Sequence, residues 1–433
     1  MFEKFPFLVI VTVIALFSMR VNSALTQNKF SADKAFWYAW LFLIWSAEIV
    51  TSFPFFEYYS QYPIDQGTRE LVLATLLSAL VGFLIGSYIY RRMPGGRGDR
   101  KVEEGFISFL GRKQNFIALS ILLIGAYEFI LNRNKFSDLQ ALRYAAVTGD
   151  LTYGSASVQF FYFAQAFLLF LGFSDGTRAR VSKLVAFAAT TGLVFHNLSL
   201  GGRINVIVGP ALYLISYAVS ASGKENRDVI GELKRTLVVV TALIMTVFTA
   251  LRLLRGPTDG MSYQSSVLDS IINAMFAIPM YVSDTYISIS VHAMHASEAS
   301  IPYGYYTFDA AYRLFGPILS TNLVDSSEVF GHIFYRDTPA PWAWTQTNMI
   351  PRLIADFGAG YWVAIIPIFA LAQWGSVYRF RMVFLGNAIR SMMILCSAYS
   401  ILGIFWFSAF TVLTLFYAFA IYLICSSIRG VRI

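Results

Sequence analysis

An all-α polytopic integral membrane protein is the fold class this sequence predicts, and three observations carry it. Apolar runs of about 17–22 residues recur, each long enough to cross a hydrocarbon layer at ~1.5 Å per residue. Basic residues gather in alternate connections between those runs. One long segment, 256–360, is too polar to lie wholly in lipid. Apolar residues make up 57% of the chain and charged ones 13%. A chain of that balance buries its apolar surface in a bilayer rather than in a soluble core.

Eleven spans follow in order, at about 5–19, 35–56, 69–90, 115–132, 154–173, 184–200, 204–220, 236–253, 361–376, 391–407 and 409–426. The organisation expected is therefore eight N-terminal spans within 1–255, a large loop domain at 256–360, and three further spans within 361–433. The first span follows Lys4 and precedes Ser23 and Ala24, so it also has the outline of a signal peptide. Cleavage there would put every basic loop outside, and the charge rule favours a retained span. The stretch 266–294 is apolar but carries Asp269, Pro279 and Asp284, and is expected to form interfacial or re-entrant helices.

Orientation follows from the connections. With the N-terminus outside, one set of loops holds 22 of the 33 Lys and Arg, including the run from Arg91 to Lys113. The other side holds 11 basic residues against 15 acidic ones. The positive-inside rule puts the large loop away from the cytoplasm and the C-terminus in it. The net charge of +8 is spent on this asymmetry, and nucleic acid is not an expected partner. Cys396 and Cys425 both fall in apolar spans, with no disulfide framework and no CxxC pattern.

Within 256–360 there are nine carboxylates, three arginines (Arg313, Arg336, Arg352) and three of the four histidines. Tyr and Trp are dense there, as interfacial anchors or as stacking faces for sugars. His292 and His295 stand three apart with no third ligand nearby, so no metal site is expected. His332, beside Arg336 and Asp337, is a candidate general base or a structural histidine.

The run Asn348-Met349-Ile350-Pro351, followed by Ala355-Asp356-Phe357-Gly358-Ala359-Gly360, resembles the signature of the Wzy-type O-antigen and oligosaccharide repeat-unit polymerases, relatives of the O-antigen ligases. That signature stands just before the span that follows the family's large periplasmic loop. Ser199-Leu200-Gly201-Gly202-Arg203 resembles the family's short glycine–serine–arginine turn, with Gly202 in place of serine. Arg143-Tyr144 resembles a further arginine position. The resemblance implies a GT-C-like helical fold in the bacterial inner membrane and a periplasmic large loop. It also implies joining of undecaprenyl-diphosphate-linked glycans without metal or other cofactor, with a chain-length regulator as a further partner.

The residues themselves point to an anion at the outer face. Gly201-Gly202 reverses the chain between two spans, and the next span begins with unpaired amide groups. Arg203 opposes the helix dipole there unless an anion sits between them, and a lipid diphosphate would fit. The other reading has Arg203 snorkelling to headgroups. His196 lies one to two turns earlier at a similar depth. Arg252 and Arg255 end the eighth span on one helical face, suited either to a diphosphate or to the interface. Arg143 can serve a diphosphate or pair with Asp138 or Asp150.

Arg352 and Asp356 would face each other as an i, i+4 pair. The Asp-Phe-Gly triplet lacks the context of a kinase, and its glycines look fit to release the backbone before the ninth span. Glu48 and Glu128 lie inside spans, where a carboxylate is costly and marks a pathway. Glu48 hints at a polar cavity, and Glu128 is near enough to the outer end to snorkel.

The expected activity is glycosyl transfer with inversion. Arg143, Arg203, Arg255, Arg352 and His196 would contact diphosphate or glycan, and His332 or Asp356 would take the proton. The alternatives are a ligase passing finished polymer to another acceptor, a flippase for the lipid-linked glycan, or a structural membrane subunit. Against a flippase stand the small number of charged residues in the spans and the polar mass outside.

Overall fold

A computed structural model describes residues 4–28, 30–52, 64–93, 95, 100–132, 155–177, 183–199, 205–222, 231, 277–287, 289, 293, 296, 304–315 and 348–427. Among the described residues all regular structure is helical. The α-helices are α1 (Lys4–Thr26), α2 (Ala32–Val50), α3 (Gln66–Arg92), α4 (Arg100–Asn132), α5 (Ser155–Gly176), α6 (Lys183–Ser199) and α7 (Asn205–Ala221). The rest are α8 (Ala277–Ile287), α9 (Asp309–Phe315), α10 (Met349–Phe357), α11 (Tyr361–Val377), α12 (Val383–Tyr399) and α13 (Ala409–Ser427).

Four described stretches are long and apolar enough to cross a membrane: Lys4–Thr26, Gln66–Arg92, Lys113–Asn132 and Met349–Val377. Their outer faces are what lipid requires. Phe5, Val13, Leu16 and Phe17 on α1 are exposed, as are Phe116, Leu123, Tyr127 and Leu131 on α4. Apolar faces of this extent on a water-soluble monomer would drive association. The chain is an α-helical, membrane-embedded protein.

Two compact units are each assembled from separate stretches of chain. The first comprises Met1–Met93, Phe248–Val377 and Cys396–Ala409, and the second Pro94–Val247, Tyr378–Leu395 and Phe410–Ile433. In the first, α3 lies directly on α11. A methyl on Gly82 would fall 2.6 Å from the Ile366 carbonyl oxygen, and one on Gly86 would fall 2.4 Å from that of Ala370. Glycines four apart thus let two backbones touch where no hydrophobic force between spans is available, and dispersion does the work. Phe36, Phe83, Phe369 and Trp406 fill the space beside this seam, with ring centroids 4.7–5.3 Å apart.

One span departs from the sequence expectation. The run expected as a helix over 391–407 begins at Val383 and ends at Tyr399. Residues 400–408 are irregular, with Gly403 at φ +151°. That segment is stitched to its unit on several sides. Trp40 Nε1 donates to Ser400 Oγ at 2.9 Å, Asn348 Nδ2 donates to the Ile401 carbonyl at 3.0 Å, and the Ala310 N–H donates to the Phe407 carbonyl at 3.1 Å. Non-helical backbone among apolar helices is tolerated where protein satisfies its polar groups, as here.

Candidate functional site

The second unit places two ionisable groups from apolar helices together. Where α4 crosses α6, a methyl on Gly125 would fall 2.0 Å from the Gly192 carbonyl oxygen, so the helices meet backbone to backbone. Glu128 stands three residues beyond Gly125, and His196 four beyond Gly192. One turn past the crossing, each side chain therefore faces the other helix. The Glu128 carboxylate contacts His196 Nδ1. Phe161 of α5 lies against the imidazole, centroids 4.7 Å apart at 30°, and Phe129 packs on Phe195 at 5.3 Å. Both members of the pair are buried, Glu128 8% and His196 7% exposed. Glu128 therefore does not snorkel: its partner is a histidine 68 residues away in sequence.

In the first unit, α10 begins at Asn348, whose side-chain oxygen accepts the Ile350 N–H at 3.1 Å as an N-cap. Pro351 sits in the first turn, where a missing N–H costs nothing. The helix stops at Phe357 because Gly358 turns at φ +59° and ψ −143°, a region open essentially to glycine alone. The span α11 follows at Tyr361.

Asp356 faces a turn formed by 304–307. Its carboxylate accepts the Tyr306 N–H at 3.0 Å, and the Thr307 N–H and hydroxyl at 2.7 Å each. It is 1% exposed and clamps that turn to α10. Arg352 shares α10 and lies against Gly403, where a methyl would fall 2.9 Å from its Nη1. Its guanidinium lies within electrostatic reach of Tyr306, Asp309 and Asp356. Burial holds the Tyr306 phenol above its ordinary pKa, against the opposing pull of Arg352.

Glu48, expected to mark a polar cavity, pairs with Arg69. Arg69 Nε and Nη2 reach Glu48 Oε1 and Oε2 at 3.0 and 3.3 Å, the two-pronged geometry that suits arginine. Tyr286 of α8 is fully buried and senses both charges. Arg69 and Thr307 carried no signal in the sequence. A basic residue at the outer end of a span, and a threonine in a polar loop, each have many ordinary explanations.

The sequence-predicted residues are distributed as follows. His196, Arg352 and Asp356 are described above. Arg143, Arg203, Arg255 and His332 lie outside the described residues, as do the span expected at 236–253 and the pair His292 and His295. Among the described residues no group of three or more His, Cys, Asp and Glu could hold a metal ion.

Comparison with protein-family models, with curated proteins and with solved structures finds no match.

Proposed function

We propose that the chain is a glycosyltransferase that polymerises lipid-diphosphate-linked oligosaccharides at the outer face of a bacterial inner membrane. In this reading eleven spans of a GT-C-like fold carry a periplasmic loop domain and a cytoplasmic C-terminus. The observation that carries it is the use made of the Asn348–Gly360 residues. Asn348 caps α10, Asp356 clamps the 304–307 turn, and Gly358 breaks the backbone into the apolar α11. The stretch that resembles the polymerase signature thus ties the 304–307 turn to an apolar helix, which supports the reading of it as the anchor of a loop domain.

The reaction joins two undecaprenyl-diphosphate-linked glycans. As the bond from the anomeric carbon to the diphosphate breaks, negative charge grows on phosphate oxygen. Arginines fixed beside it stabilise the transition state more than the ground state. Arg203, Arg143 and Arg255 are assigned to the diphosphate, with Arg352 supporting from α10. Displacement by the acceptor hydroxyl in one step inverts the anomeric carbon. No bound metal or nucleotide sugar enters the scheme, since the donor already carries its leaving group.

Deletion of the gene tests the reading. A lost polymerase leaves single repeat units on the final acceptor, and a lost ligase leaves polymer on the lipid. Unchanged surface glycan would overturn both. Arg203→Ala, produced at normal level in the membrane, is expected to abolish long chains; normal chain length would remove Arg203 from the diphosphate.

A further inference from the structure

We propose that Asp33 is a proton-binding site, and that its proton latches the start of α2 onto α11. The proposal concerns the first unit alone and is independent of the glycosyl-transfer reading.

The first N–H groups of a helix have no acceptor within it. At α2 the cap residue Ser31 does not supply one, because its hydroxyl is turned to Asp33 Oδ1. Acceptors come instead from α11. The Ala32 N–H donates to Ser376 Oγ at 3.0 Å and the Asp33 N–H to Gln373 Oε1 at 3.2 Å, across 344 and 340 residues of chain. Gln373 Nε2 then donates to Ser87 Oγ of α3 at 2.9 Å, and Ser87 Oγ to Asn22 Oδ1 of α1 at 2.6 Å. Asn22 Nδ2 ends the series on Ser18 Oγ at 3.2 Å. Every side chain in it is at most 2% exposed.

Asp33 is the one ionisable member of the series. It is fully buried, and its Oδ2 has no hydrogen-bond partner. The other buried carboxylate of α2, Glu48, has the Arg69 guanidinium against both oxygens. Asp33 is in no ion pair among the described residues. Among them, Lys34 is the charged group whose field reaches it, and the Lys34 ammonium is turned to the Asn28 carbonyl at 2.8 Å. The groups that α11, α3 and α1 bring to the series are amides and hydroxyls, none of which titrates. Helix α8 also packs on α2, with Tyr286 at the Glu48 end.

A helix N-terminus favours a carboxylate, but by less than an unpaired charge costs when it is buried. A proton removes that cost. A metal cation would need several oxygens, and Gln373 Oε1, Ser376 Oγ and Asn22 Oδ1 already accept from N–H and O–H donors. Asp33 stands in the first turn of α2, just before the span expected at 35–56, so water is close when that turn lifts.

On ionisation the carboxyl O–H gives its proton to water and leaves a carboxylate with no cation against it. That charge draws Asp33 to solvent, and the Ala32 and Asp33 N–H groups leave Ser376 and Gln373. The sign follows from linkage. A carboxyl that keeps its proton above the ordinary carboxylate range in the folded protein contributes stability that is lost as pH rises through that range.

Hydrogen–deuterium exchange of the full-length protein in lipid nanodiscs tests the latch, with each amide corrected for its intrinsic rate. Between about pH 5 and about pH 9, the Ala32 and Asp33 amides are expected to lose about tenfold or more in protection, while those of Trp40 to Ile44 hold theirs. Asp33→Asn, neutral at every pH, should keep its protection throughout. Its melting temperature should match wild type at the lower pH and exceed it by about 2 °C or more at the higher. Unchanged protection of the two wild-type amides overturns the proposal, and so does an equal loss in Asp33→Asn. If Asp33→Asn does not fold, Asp33→Ser takes its place, and the wild-type profile alone can still overturn the latch. Exchanging potassium for sodium at the higher pH should change nothing; restored protection would assign the site to a metal cation and overturn the proton.

Discussion

The Asp356 carboxylate and the Thr307 backbone are held at 2.7 Å across 49 residues of chain. Three donors converge on that one carboxylate, and each would be orphaned in a buried place if it were removed. Asp356→Ala is expected to cost about 3 kcal/mol, the scale of leaving buried donors unmet. Asp356→Asn keeps one acceptor oxygen and should cost about half as much. Thermal unfolding in detergent, with proteolysis of the 304–348 region as a second readout, checks both. Equal stability of the alanine variant and wild type would deny the clamp.

The Glu48–Arg69 pair predicts a non-additive cycle. Breaking a buried pair from one side strands a charge and costs about 3–5 kcal/mol, whereas replacing both partners by apolar groups is often near neutral. Arg69→Met and Glu48→Leu should each lower the unfolding temperature sharply. The double variant should recover most of the loss, and the coupling energy of the cycle is the measurement.

Glycines two apart in sequence should respond differently. Gly358→Ala must hold φ +59° and ψ −143° and should cost about 1–3 kcal/mol. Gly360→Ala meets nothing within 4 Å and should be silent. At the α4–α6 crossing, Gly125→Val drives methyls into the Gly192 carbonyl and should reduce the yield of monodisperse protein. Melting curves of the three variants rank them.

Orientation is open to a chemical test. In a background with Cys396 and Cys425 replaced, cysteine at the exposed Glu70 should react in intact cells with a membrane-impermeant maleimide. Cysteine at the exposed Arg91, at the other end of α3, should react only after permeabilisation. The reverse pattern would invert the topology.

Much of the helical skeleton was legible because long apolar runs in a bilayer have few alternatives to a helix. Glu48 and Glu128 stood out because a carboxylate in an apolar run is costly, and His196 by its place one to two turns before Arg203. Their partners did not. Glu128 meets His196 only because two glycines, 67 residues apart, allow a close crossing, and nothing local encodes that. Asp356 stays within electrostatic reach of Arg352, as the i, i+4 spacing suggested, but its carboxylate also binds a turn 49 residues earlier in the chain, which no local pattern encodes. The stretch 400–408 misled for a different reason: it is apolar enough to read as helix, and hydropathy does not separate a buried irregular segment from a helical one.

The seam between α3 and α11 sets a schedule for biogenesis. Gly82 and Gly86 leave the ribosome well before Ile366 and Ala370, which are roughly 280 residues further on. At about 5–20 residues per second, that interval lasts tens of seconds. Throughout it the glycine groove of α3 has no α11 to fill it and must face lipid or the insertion machinery. The first unit therefore closes late, around a newly made C-terminal helix, and truncation before α11 leaves a nascent chain with an open groove in the membrane.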